Sequence, residues 1–131
     1  MPRSIMPTDV AAPAANYAHA CLTQSAAQWL HTSGVVPIAP DGSVPADLAD
    51  QAEVIWRNVT AMLRDAGMKP ADIVSVTTYV TPGHDLSEVM ETRDRVLDGH
   101  LAASTLVIVP ELARHEWLME IAVIAACEPD V

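Results

Sequence analysis

The sequence predicts an α+β fold, a mixed β-sheet with two helices on one face, and three observations carry that reading. The elements run β-β-α-β-α-β-β along the chain. Each helical stretch presents a single apolar stripe. The two C-terminal strands are apolar on both sides, yet no third helix follows to cover them.

The elements follow in order. The first 15 residues are rich in Ala and Pro, and residues 1–12 are expected to form an extended lead-in to a single domain spanning 1–131. "YAHACLTQ" (17–24) and "WLHTSGVVPIA" (29–39) are expected to be strands around the turn "SAAQ". "APDGSVPADL" (39–48) is a loop whose turn signal is Asp41-Gly42. Over 46–66, Leu48, Ala52, Ile55, Val59, Met62, Leu63 and Ala66 recur at helical spacing, with Gly67 as C-cap and Lys69-Pro70 ending the element. "ADIVSVTTYVT" (71–81) is rich in β-branched residues and bounded by prolines, a strand. In 84–100, Asp85 and Glu88 have capping-box spacing, Leu86, Val89, Met90, Arg93 and Val96/Leu97 follow at helical intervals, and Gly99 closes the helix. "ASTLVIVP" (103–110) is an apolar strand, and "ELARHE" leads to "WLMEIAVIAA" (117–126).

That last strand poses the functional question. Alternation puts Leu118, Glu120, Ala122, Ile124 and Ala126 on one face, and Met119, Ile121, Val123 and Ala125 on the other. An isolated carboxylate in an apolar strand is expensive, so Glu120 is expected to line a cavity or interface, or to have a partner elsewhere. Such an acid is a candidate for a perturbed pKa and for general acid–base work.

Composition excludes several classes. Seven Lys and Arg against 17 Asp and Glu give a net charge of −10 without a basic stripe, which argues against nucleic acid as a partner. No apolar run approaches the ~20 residues that span a bilayer, so no membrane partner is expected, and the N-terminal stretch does not read as a signal peptide. Cys21 and Cys127 read as reduced thiols in a cytoplasmic protein. His19, His31, His84, His100 and His115 show neither HxH nor HExxH spacing, so no metal and no cofactor is expected. Sheet faces without helices to cover them point to a homo-oligomer.

Four ordered stretches carry a resemblance: "APAANYAHA", "WLHTSGVVP", "AGMKPADIVSVTTYVT" and "LMEIAVIAA". Together, over essentially residues 11–126, the chain resembles the Rid family, the small YjgF-type reactive intermediate deaminases, also called endoribonuclease L-PSP-like. The resemblance implies a chorismate-mutase-like fold, a homotrimer, and a small-molecule ligand in inter-subunit clefts. It implies that Glu120 positions the water that replaces ammonia, and that Tyr17, Ser33 and Gly34 line the pocket. The departures are as informative. Ala103 stands where deaminating members carry a carboxylate-binding Arg, Met90 where many carry Asn, and Thr105 where many carry Cys. Val35 replaces a Gln, and Asn16 a Pro. Losing one partner of a desolvated ion pair costs about 2–5 kcal/mol, so good turnover of small 2-amino-acrylate-type acids is not expected. Arg93 and Arg114 are the cations that could stand in, unless both are solvated surface residues.

Three functions follow. The first is hydrolytic deamination of an enamine, imine or related intermediate, bulkier or less anionic than an amino-acid-derived acid. The second is a trimeric binder of a small metabolite or partner protein, without turnover. The third, a ribonuclease, is opposed by the charge.

Overall fold

The computed structural model describes residues 2–128. Nine elements follow one another: β1 (Arg3–Ile5), β2 (Ala20–Leu22), β3 (Gln28–His31), α1 (Leu48–Asp65), a 3-10 turn (Pro70–Asp72), β4 (Ile73–Val80), α2 (Leu86–Leu97), β5 (Ala103–Ile108) and β6 (Met119–Cys127). The main sheet has the order β3-β6-β4-β5, with β4 and β5 parallel and the other pairs antiparallel; β1 and β2 form a separate two-stranded ribbon. The parallel pair needs a crossover, and α2 supplies it.

α1 buries Leu48, Gln51, Ala52, Ile55, Trp56, Val59 and Leu63, the recurrence expected of one helix face. It ends in a Schellman motif. Gly67, at φ +73°, donates to the Arg64 carbonyl, and Met68 donates to that of Leu63. Met68 and Leu63 then both enter the core. α2 starts at Asp85, whose carboxylate accepts from the Ser87 N–H at 3.0 Å. That hydrogen bonding, first from the Ser87 hydroxyl and then from its N–H, holds the Asp85 carboxyl below its ordinary value. The helix closes through Asp98 at φ +45°, followed by Gly99.

The core lies between the helices and one face of the sheet. Val76 pairs with Val123, Thr78 with Ile121 and Val80 with Met119, all buried. Val59 and Ile55 of α1 belong to the same apolar cluster. Among the described residues, no helix is long and apolar enough to cross a membrane.

The N-terminal half differs from expectation. The lead-in contains a strand: β1 pairs with β2 from Arg3–Leu22 to Ile5–Ala20, and the Ser4 hydroxyl donates to the Leu101 carbonyl at 2.8 Å. The strands expected over 17–24 and 29–39 shorten to Ala20–Leu22 and Gln28–His31. After His31 the chain leaves regular pairing and rejoins β6 at a Val35–Ile121 bridge. His31 pairs with Ile124, so the stretch to Val35 carries one residue more than the facing stretch of β6. The result is a bulge at Thr32–Gly34. The Thr32 hydroxyl accepts from the Val123 N–H at 2.9 Å there.

Candidate functional site

Glu120 is the second residue of β6, between Met119 and Ile121, which both point into the core. Its side chain therefore leaves the sheet on the face away from the helices, half-buried. Tyr79 of β4 is its partner in register. The bulge completes the local geometry by carrying Gly34 against the carboxylate. A Cβ at Gly34 would lie 2.6 Å from the Glu120 carboxyl carbon, so no other residue fits without displacing the acid. The carboxylate has no hydrogen-bond or ion-pair partner among the described residues. Thr32 and Val35 donate their N–H groups to Val123 and Ile121, whereas the N–H groups of Ser33 and Gly34 have no acceptor among the described residues.

The strand carrying Glu120 is braced from the opposite face. Gln51, fully buried on α1, donates to the carbonyls of Pro45 and Glu116 and accepts from the Leu118 N–H, each at 2.8 Å. This satisfies a buried amide and fixes the backbone two residues before Glu120.

The remaining candidates lie elsewhere. The sheet rows read Glu120–Tyr79–Val107, Ala122–Thr77–Thr105 and Ile124–Ser75–Ala103. Thr105 thus shares Glu120's face, exposed, but two strands and one row away, roughly 12 Å by strand spacing and rise. Ala103 lies a further row along, and Ala18 bridges to it, which puts Tyr17 at the β5 edge. Tyr17 is half-buried, and its hydroxyl accepts from the Ala14 N–H at 3.4 Å. Met90 is half-buried on α2. One chain brings together Glu120, Ser33 and Gly34, and leaves Tyr17 and Thr105 apart from them.

Neither arginine stands free near Glu120. Arg93 is not a solvated surface residue: it is 6% exposed, because it occupies an inward position of α2 beside Val89 and Leu97. Its guanidinium donates to Asp94 at 3.0 and 3.1 Å and to the Ser104 hydroxyl at 3.4 Å. Asp94 in turn accepts from Asn16 at 3.0 Å. Ser104 pairs with Val76, a helix-facing position, so Arg93 sits on the far side of the sheet from Glu120. Arg114 is exposed, with its guanidinium carbon 5.6 Å from the Trp117 ring centre, a cation–π distance. No group of three or more metal-ligating side chains occurs among the described residues, and both cysteines are free.

Sequence reasoning missed Tyr79 and Gln51. The signals were present: Ser75, Thr77 and Tyr79 alternate along β4, and Gln51 interrupts the apolar stripe of α1. What neither pattern gives is the register that sets Tyr79 beside Glu120.

Comparison with known proteins bears on the family and the fold. The family model described as Endoribonuclease L-PSP matches residues 8–127. Escherichia coli TdcF is 36% identical over 72 residues, covering 54% of this chain and 56% of that protein. The 2-iminobutanoate/2-iminopropanoate deaminase of E. coli is 38% identical over 84 residues, 63% of this chain and 66% of the relative. The matches thus span little more than half the length of such curated relatives. Among solved structures, YyfB of Yersinia pestis, a Rid-family protein of unknown function, superposes with TM-score 0.86 at 30% identity, covering 95% of this chain and 98% of its own. TdcF crystallised with bound serine gives TM-score 0.70 at 26% identity, with 95% and 98% coverage.

Proposed function

The chain belongs to the endoribonuclease L-PSP family, the Rid or YjgF proteins, and on that premise we propose that it hydrolyses enamine or imine intermediates, with Glu120 directing the water. The observation that carries the reading is the unpartnered Glu120 carboxylate held over Gly34 on the helix-free face. Glu120 takes a proton from water as the oxygen attacks the C=N carbon. The same carboxyl returns that proton to nitrogen, giving a carbinolamine; the hydroxyl proton then passes to nitrogen as the C–N bond breaks, so ammonia leaves and the carbon becomes a carbonyl. The free N–H groups of Ser33 and Gly34 offer donors to a substrate oxygen.

The site is completed by a second copy in a homotrimer, with Tyr17, Met90 and Thr105 of a neighbour closing a cleft opposite Glu120. Two facts support this: the separation of the two groups within one sheet, and the exposure of Trp29 (52%) and Val107 (40%). The two free cysteines favour a cytoplasmic setting. With Ala103 at the position of the family Arg, Arg93 paired to Asp94 and Arg114 over Trp117, the substrate is bulkier or less anionic than a simple imino acid. The names of two relatives, 2-iminobutanoate/2-iminopropanoate deaminase and reactive intermediate deaminase TdcF, agree with the reaction class.

Ala103 favours a second reading, a trimer that binds a small metabolite without turnover. The ribonuclease reading, which the family description suggests, is opposed by the charge of −10. Ammonia release from imino acids generated in situ by an amino-acid oxidase separates them. Deamination predicts acceleration by the wild type and a loss of about 100-fold or more in Glu120→Ala. No acceleration across a panel of side chains removes a general imino-acid deaminase and leaves a narrow-substrate enzyme or the binder, which ligand screening separates.

A further inference from the structure

The helix layer carries a feature the Glu120 site does not use. Between α1 and α2 runs an open groove of about 480 Å³, lined by Glu53, Trp56, Arg57, Thr60, Arg64 and Arg95 among others. Three of the chain's seven cations meet there, although the protein as a whole stands at −10. Glu53 engages Arg95, which leaves Arg57 and Arg64 without an ion-pair partner among the described residues. These two lie two turns apart on the same stripe of α1, with about 10.5 Å of helix rise between them. Trp56 adds a second, independent observation. It lines the groove, is 1% exposed, and its Nε1–H is buried without an acceptor among the described residues. A buried indole N–H is ordinarily hydrogen-bonded.

We propose that this groove is a second binding site, for a small multivalent oxyanion, formed by Arg57, Arg64 and Arg95 over Trp56. Guanidinium groups pair with phosphate and carboxylate oxygens through two parallel N–H bonds. The groove's net positive charge within an acidic surface draws a small anion, while the surrounding carboxylates repel a long polyanion such as RNA. The site lies on the helix side of the sheet, opposite Glu120, and does not depend on the deaminase reading.

The three indole N–H resonances of the full-length ¹⁵N-labelled protein give the test, with Trp56 assigned through Trp56→Phe. The probes are inorganic pyrophosphate and citrate, each titrated at low ionic strength. Trp117, whose Nε1 is likewise buried without a partner but which does not line this groove, is the internal control. A saturable shift of the Trp56 resonance is expected, weakened roughly 10-fold or more in Arg57→Gln/Arg64→Gln, since each lost charge-assisted contact is a large share of a weak site's affinity. Both arginines are exposed, so circular dichroism of the double variant should match the wild type. A response to pyrophosphate alone identifies phosphate chemistry, and a response to citrate alone carboxylate chemistry. A Trp56 resonance that does not move with either probe, or that moves equally in the double variant, overturns the proposal.

Discussion

The two faces of the main sheet obey different rules. On the helix face, the buried amide and guanidinium are satisfied: Gln51 makes three hydrogen bonds, and Arg93 is tied to Asp94 and Ser104, while the Trp56 indole N–H is buried without a partner among the described residues. On the other face, Glu120 stands without a partner and Trp29 is half-exposed. Folding explains the first face, because burial demands pairing. It does not explain the second. The proposed function gives that carboxylate a use outside the single chain, against a ligand, a neighbour or both.

The comparison can be broken by substitution. The largest effect on stability is expected from Gln51→Leu, which strands the Leu118 N–H and two carbonyls. At roughly 1 kcal/mol for each lost hydrogen bond, denaturant unfolding should register a loss of about 3 kcal/mol. A loss below ~1 kcal/mol would mean that the helix face does not depend on this brace. Gly34→Ala should do the reverse. Its new Cβ pushes the Glu120 carboxylate aside, so turnover falls roughly 10-fold or more while unfolding shifts by less than ~1 kcal/mol. Combined with Glu120→Ala it should add little further loss, because both act through one group. Additive losses would separate the two residues. The smallest effect belongs to the exposed cap of α2. The Asp85 carboxyl is held below its ordinary value of 3.8, so its stabilisation is present above that value and is lost as pH falls through the lower, folded value. Asp85→Asn keeps a capping oxygen without the titration, and thermal melts between pH 2 and 6 should show a shallower acid limb than the wild type.

Much of this was legible in the sequence, for reasons that are local. α1 announces itself through a repeating stripe and the Gly67 cap, and β6 through a continuous apolar run, in which the alternation of strand side chains assigns Glu120 to the face opposite Met119 and Ile121. The rest depends on pairing between distant segments. β1 is only three residues long and exists because β2 lies beside it. The bulge at Thr32–Gly34 comes from register against β6, so the sequence offers Ser33, Gly34 and Glu120 as separate candidates and not as one contact. Arg93 is the instructive case. Its helical spacing with Val89 and Leu97 already placed it on the inward face, but the general exposure of arginine pointed outward; Asp94 and Ser104 make the inward position tolerable.

On the proposed function, the unpaired Glu120 of one copy works against the β5 edge of another, and subunit complementation is the test. Glu120→Ala and Thr105→Tyr, which fills the cleft from the β5 side, are each expected to be inactive in the imine-hydrolysis assay. Co-expressed with different tags and purified as mixed trimers, they should recover about a third of wild-type activity, because one cleft of the three in each mixed trimer draws an intact half from both neighbours. Mixed oligomers as inactive as their parents, or a Thr105→Tyr homomer as active as the wild type, would contradict a site shared between copies.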